Sequence, residues 1–405
     1  MIDQKGPSMK TFTTLDVTDE EALYRARLLR EKLSSRAFDI ADHRRLPDEV
    51  FAMFLESGLM RISQPRSWGG AQLPLTTHIE VISEIARACG SSAWTMGVFL
   101  SHNWNLTLFD PLAQDDVWGP NPEAVACTSA VGGPPAQRVP GGAIIRAGRW
   151  TFLSGVHHAD WIIVNSTLER EGVPDGPREL FSLLIPKGQF RIIDDWKAIG
   201  LSGTGTCSVE LEDVFVPEHR ILSFAAQQNG STPGGRHRVD PVYSAPLDAT
   251  WPAYLAAPAI GIARGAVDAW IERTGSRNHA YTGMPASAEF QRQFKLGEAE
   301  AQIDAADEIL HRATTAVVEA AKTQVDVPEI RSRNRRDFAF VVRLCVNAVE
   351  SVFLASGASS LAESNVIQRH WRDVHAIAQH AMFEYERSVS AWGRRRLGVD
   401  DGLTF

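Results

Sequence analysis

WKAIGLSGTGTCSVELEDVFVPEHRIL, residues 196–222, changes character in its middle. The first half interleaves glycine with hydroxyl residues, a composition for a loop whose backbone bends and lets another group come close. The second half, CSVELEDVFV, is a β-type run closed by Pro217. Comparable short runs precede it, punctuated by Gly and Pro: AVACTSAV (124–131), AIIRAGRWTFLSG (143–155), ADWIIVNSTL (159–168), LFSLLIPK (180–187) and FRIIDDW (190–196). Residues 123–232 are therefore expected to form a small β domain, a barrel or sandwich.

Both flanks read as helical. In residues 1–122, apolar positions recur at three and four in DEEALYRARLLREKL, DEVFAMFLESGLM, TTHIEVISEIARAC and SSAWTMGVFLSHNWNLTLF, and Pro47 before Asp48 marks a helix start. After the loop-like AAQQNGSTPGGRHRVD (225–240), residues 233–405 hold four long segments near 250–281, 287–324, 328–361 and 366–397, the pattern of an antiparallel four-helix bundle. The fold class is α+β, mainly α: an N-terminal helical domain, a central β-barrel or sandwich, and a C-terminal bundle. Strands and helices do not alternate, and GTGT at 203–206 is not the GxGxxG that opens a dinucleotide-binding helix.

The 405 residues are 44% hydrophobic and 22% charged, enough apolar material for a large core. With 41 basic residues scattered among 49 acidic ones and a net charge of -8, nucleic acid is not an expected partner. Cys89, Cys127, Cys207 and Cys345 lie far apart without a CxxC pair, which fits a reducing cytoplasm. The opening MIDQKGPSMK has no signal-peptide core, and no membrane span is expected, because AYLAAPAIGIARGAV is interrupted by Pro258 and Arg264.

GRWTFLSGVHHADWIIV (148–164), the stretch 196–222 and QRHWRDVHAIAQHA (368–381), in this order, resemble the flavin-dependent monooxygenase branch of the acyl-CoA dehydrogenase superfamily. The resemblance covers nearly the whole chain. That branch includes the oxygenase components of p-hydroxyphenylacetate hydroxylase and secosteroid phenol hydroxylase. Acyl-CoA dehydrogenases commonly place a catalytic glutamate eight residues after an Arg-Asp pair; counting from Asp373 reaches Ala381, preceded by His380. Their Gly-Gly-x-Gly stretch is replaced by SGASSLAES (356–364), which points to FMN rather than FAD, with FADH2 as the alternative.

The resemblance implies reduced FMN delivered by a separate NAD(P)H:flavin reductase, O2 as co-substrate, a C4a-hydroperoxyflavin and hydroxylation of a small aromatic substrate. It also implies a homotetramer, which would cover apolar stretches such as DFAFVVRLCVNAVESVFLASGA. By the same resemblance Ser154, beside Gly155, contacts flavin N5; Thr204 and Thr206 touch the flavin; Arg277 holds its phosphate. His102 binds the substrate hydroxyl, with Trp104 and Ser129 in the same pocket.

His370, His375 and His380 are five apart and point in three directions on a helix, so a metal cluster is not expected. Asp373 and His380, seven apart, would share a face. His380 is the expected active-site base or hydrogen-bond partner for a phenol, Asp373 an ion-pair partner of Arg372, and His370 and His375 surface or interface residues. N- or S-oxygenation, acyl-CoA dehydrogenation with FAD and a non-catalytic role remain alternatives at this stage.

Overall fold

The computed structural model describes residues 14–169, 179–235, 240–278, 283–323 and 327–399. Its N-terminal helices are α1 (Asp19–Ser34), α2 (Ala37–Asp42), α3 (Asp48–Glu56), α4 (Leu75–Ala86), α5 (Gly90–Leu106) and α6 (Pro111–Trp118). The Thr18 hydroxyl caps α1 by accepting from Glu21 N–H, and three acidic residues in the first turn suit the helix dipole. α5 is buried at every position, so it carries no polar face and the apolar period is lost in it. At Gly97 a Cβ would stand 2.8 Å from the Tyr254 carbonyl oxygen, so only glycine lets α5 lie this close to the bundle.

The strands are β1 (Ala126–Gly132), β2 (Ala136–Val139), β3 (Gly142–Leu153), β4 (Trp161–Glu169), β5 (Leu180–Pro186), β6 (Arg191–Ile193), β7 (Cys207–Pro217) and β8 (Ile221–Ser223). They run in the order β6-β7-β3-β2-β4-β5-β8, with β1 parallel to β4. β2 and β8, which the sequence does not announce, are too short to show an alternation. The long antiparallel β3–β7 ladder slips between Trp150 and Leu153. At this bulge Phe152 adopts a φ of +64°, costly for a bulky residue, and its side chain is 61% exposed.

A short helix, α7 (Phe224–Asn229), occupies part of the stretch read as loop. The bundle follows: α8 (Leu247–Gly275), α9 (Phe290–Thr323), α10 (Val327–Ala355), α11 (Val366–Ala378) and α12 (Tyr385–Arg396). The expected boundaries at 281 and 324 lie outside the described residues. α8 passes through Pro252 and Pro258, whose rings are buried in the core. One helix among the described residues, Pro328–Ala355, is long and apolar enough to cross a membrane, which the search for uninterrupted apolar runs did not find. It packs against α8, α9, α11 and α12 as a bundle helix.

The fourth bundle segment is where sequence and structure part. α11 stops at Ala378, a 3-10 turn covers Ala381–Phe383, and α12 begins at Tyr385. His380 has φ -69° and ψ 133°, so it and Asp373 do not share a helical face. No Gly or Pro marks the break. At the other end, the Asn365 side chain accepts from Ile367 and Gln368 N–H and fixes where α11 begins. Asn365→Ala is expected to destabilise the protein by about 1 kcal/mol, measured as a lower midpoint in urea unfolding.

Candidate active site

A cavity of about 390 Å³ lies where α5, β1, β3, the 196–206 loop, α8 and the end of α11 meet. The loop forms one wall and is held in place from behind. Leu201, at φ +49°, donates its N–H to Asp373 Oδ1 at 2.7 Å, while its carbonyl accepts from Thr204 Oγ1 at 2.8 Å and Trp196 Nε1 at 3.2 Å. Gly203 N–H donates to Ser91 Oγ, Arg372 Nη1 to the Ile199 carbonyl and Arg44 Nη1 to the Trp196 carbonyl. A Cβ at position 200 would sit 2.1 Å from the Arg372 carbonyl oxygen, which is why glycine stands there.

Asp373 is thus not the ion-pair partner of Arg372 expected from the sequence. Arg372 is engaged by Ile199 and Gln368, and Asp373 holds a backbone N–H. Burial pushes the Asp373 carboxyl up from its ordinary range, opposed by the Leu201 N–H and the charges of Arg369 and Arg372.

Ser154, Thr206 and Thr204 all line the cavity and form one hydrogen-bonded row. Thr204 Oγ1 must donate to the Leu201 carbonyl, so its 2.6 Å contact with Thr206 Oγ1 is one in which Thr206 donates. Thr206 then accepts from Ser154 Oγ at 2.8 Å, and Ser154 accepts from Trp94 Nε1 at 3.0 Å. A hydroxyl has one proton and two lone pairs. Ser154 therefore retains a lone pair and no proton for a ligand.

The two cavity histidines are set in opposite tautomers by their backbone partners. His102 Nδ1 lies 2.5 Å from the Val98 carbonyl and must donate to it, which leaves Nε2 as an acceptor. His380 Nδ1 accepts from Met382 N–H at 3.2 Å, which places the proton on Nε2. Trp251 packs edge-on against both, 6.4 Å from the His102 ring and 5.8 Å from His380; Trp94 is also 5.8 Å from His380. Burial lowers both histidines from the usual 6.5 to about 4, although His380 leaves part of its ring open to the cavity. The structure thus makes His102 an acceptor and His380 a donor, which suits His380 as a hydrogen-bond partner and not as a base.

Other expected residues are placed elsewhere. Gly155, at φ +75°, is absent from the lining; its N–H donates to the Thr204 carbonyl, and a Cβ there would meet Phe99 at 2.7 Å. Trp104 is a core residue that donates to the Val242 carbonyl, since two helical positions from His102 point to different sides. Ser129 faces Thr151 across the sheet, and its strand neighbours Thr128 and Ala130 line the cavity instead, as alternation requires. Arg277 is exposed after the end of α8, 3.5 Å from Ser359 Oγ and outside the lining.

His370, expected at the surface, is fully buried with no hydrogen-bond partner on either ring nitrogen, and burial holds its pKa far below the ordinary value. His375 is half-buried against Trp371. Among the described residues no His, Cys, Asp and Glu group is arranged to hold a metal. Trp94, Trp251, Phe152 and Gln379, which sequence reasoning passed over, also line the cavity. Only the φ of Phe152 and the aromatic contacts around Trp251 single them out, and neither is visible in a sequence.

Comparison with known proteins matches residues 19–109 to "Acyl-CoA dehydrogenase, N-terminal domain" and 253–385 to "Acyl-CoA dehydrogenase, C-terminal domain". The chain is 36% identical to the flavin-dependent monooxygenase, oxygenase subunit HsaA, of Rhodococcus jostii (strain RHA1), over 91% of this chain and 96% of the relative. It is 32% identical to the FADH(2)-dependent resorcinol hydroxylase, oxygenase component, of Rhizobium sp. (strain MTP-10005), over 90% and 91%. The crystal structure of 3-HSA hydroxylase from Rhodococcus sp. RHA1 superposes with a TM-score of 0.89 at 35% identity, covering 95% of this chain and 98% of that one.

The depressed histidines make stability depend on pH. Between about 4 and 6.5 the unfolded chain binds protons that folded His102 refuses, so its contribution is complete above 6.5 and is lost as the pH falls toward 4. From pH 7 to 5 this amounts to about 2 kcal/mol for His102. In urea titrations at the two pH values, His102→Asn is expected to lose about 2 kcal/mol less than the unaltered protein.

Proposed function

Because the chain belongs to the flavin-dependent monooxygenases built on the acyl-CoA dehydrogenase fold, we propose that it is the oxygenase component of a two-component system that hydroxylates a phenol. A separate reductase supplies its reduced flavin. The observation that carries the phenol reading is the complementary pair of imidazoles packed against Trp251. A phenolic hydroxyl in the cavity can donate to His102 Nε2 or accept from His380 Nε2–H, a demand that an aryl ring without a hydroxyl leaves unmet.

The residues present suit a flavin. The row of hydroxyls ends at Ser154 with a free lone pair, which matches the N5–H of reduced flavin and not the bare N5 of the oxidised form. When bound, reduced flavin with O2 supplies an electrophilic oxygen atom. The chain's own residues do the remaining work: Trp94, Phe152, Trp196 and Trp251 keep water from the cavity, and the imidazoles orient the ring. A phenol near 10 cannot lose its proton outright to an imidazole near 4, since that costs about 8 kcal/mol. The proton passes to His102 Nε2 as the ring carbon attacks and the hydroxyl acidifies.

FMN is the preferred flavin on this reading, because 356–364 carries a single glycine where an adenosine-binding stretch carries several. Acyl-CoA dehydrogenation is disfavoured: among the described residues the lining contains no carboxylate to take an α-proton. A homotetramer is supported by exposed Phe290, Phe294, Leu354 and Leu361 at one end of the bundle, where Arg292 of α9 reaches the Ala355 carbonyl at the end of α10. Arg277 remains the candidate for the flavin phosphate, supplied across such an interface. Four free, buried cysteines fit a cytoplasmic location.

The test mixes the protein and reduced FMN with oxygenated buffer in a stopped-flow cell, with resorcinol present or absent. A persistent absorbance species between reduced and oxidised flavin is expected. His102→Asn, whose amide can still donate to the Val98 carbonyl, should form that species normally and hydroxylate about 100-fold more slowly, with oxygen diverted to hydrogen peroxide. Hydroxylation at the unaltered rate would remove His102 from the chemistry.

A further inference from the structure

We propose that the substrate is an uncharged phenol, carrying no carboxylate, phosphate or ammonium group on or beside its ring. This deepens the phenol-hydroxylase reading and rests on it. The observation is the composition of the cavity wall: among the described residues, no Asp, Glu, Lys or Arg side chain lines it. Two other concave sites among the described residues differ. The pocket among α1, α4, α8 and α9 is lined by Arg27, Glu80, Glu84, Arg264 and Asp307, and the groove over β3, β6 and β7 by Arg191, Glu210, Glu212 and Asp213. Formal charge is excluded from the cavity and not from concave surface in general.

Two cations that touch the wall loop are engaged, and Lys197, on the loop itself, is exposed to the outside and absent from the lining. Arg44 donates to the Trp196 carbonyl and Asp194, Arg372 to the Ile199 carbonyl and Gln368. The Asp373 carboxyl lies directly behind Leu201 with the charges of Arg369 and Arg372 set against it, and none of these three side chains enters the lining, so an anion in the cavity would touch no guanidinium. The two histidines are neutral at pH 7 and offer hydrogen bonds without a countercharge. An unpaired carboxylate moved from water into such walls is weakened in binding by roughly 100-fold or more. A neutral substituent is not penalised, and the Gln379 amide at the cavity wall can serve it with a donor and an acceptor.

Equilibrium dialysis under nitrogen against the complex with reduced FMN tests this on matched pairs: 4-hydroxyphenylacetamide with 4-hydroxyphenylacetate, and resorcinol with 3,5-dihydroxybenzoate. At least one neutral member is expected to bind roughly 100-fold or more tightly than its acid. Gln379→Arg, a change at an exposed position at the end of α11 where a cation suits the helix dipole, should strengthen acid binding at least about 10-fold. If no neutral phenol outbinds its acid partner, including the case in which none binds, the inference is overturned. The same preparation mixed with oxygen separates the two levels: a persistent flavin species with equal affinities removes only the charge rule, whereas its absence removes the oxygenase reading beneath it.

Discussion

Leu201 ties the cavity together through both ends of one residue. Its N–H is held by a buried carboxylate on α11, and its carbonyl is the terminus of the row of hydroxyls from β3 and the loop. Because that carbonyl can only accept, it fixes the direction of every proton in the row as far as Trp94. The left-handed backbone at Leu201 and the buried charge of Asp373 each cost energy, and each is offset by the other's hydrogen bond. A fixed hydrogen-bond polarity is thereby written into the cavity wall by the backbone.

The same logic governs the histidine end of the cavity. Val98 and Met382 present a carbonyl and an N–H to two imidazoles, and these choices alone make one an acceptor and the other a donor. Burial keeps both neutral, so the site works by hydrogen-bond complementarity and not by charge. Trp251 packs edge-on against both rings, and their Nε2 atoms have no hydrogen-bond partner among the described residues.

The order of helices, strands and bundle was legible because it rests on period and punctuation, which are local. Ser154, Thr204, Thr206, His102 and His380, singled out because their motifs stand in a recognisable order, line one cavity. The break after Ala378 was not legible, because no Gly or Pro makes it; it follows from the packing of the end of α11 beside the cavity. Trp104 and Ser129 were misplaced by one facet each, a helical rotation and a strand alternation that a motif does not record. Trp251 comes from the bundle and meets the other residues only through the tertiary fold. The burial of His370 had a sequence mark that was passed over: it lies three residues after Ile367 and four before Val374, on the buried stripe of α11.

The most direct test of the account is the affinity of the protein for reduced against oxidised FMN, measured by anaerobic and aerobic equilibrium dialysis at the same pH. A row of hydroxyls that leaves Ser154 only a lone pair predicts that reduced FMN binds at least about 10-fold more tightly, the cost of an unmatched buried acceptor. Equal affinities, or tighter binding of oxidised FMN, would contradict it.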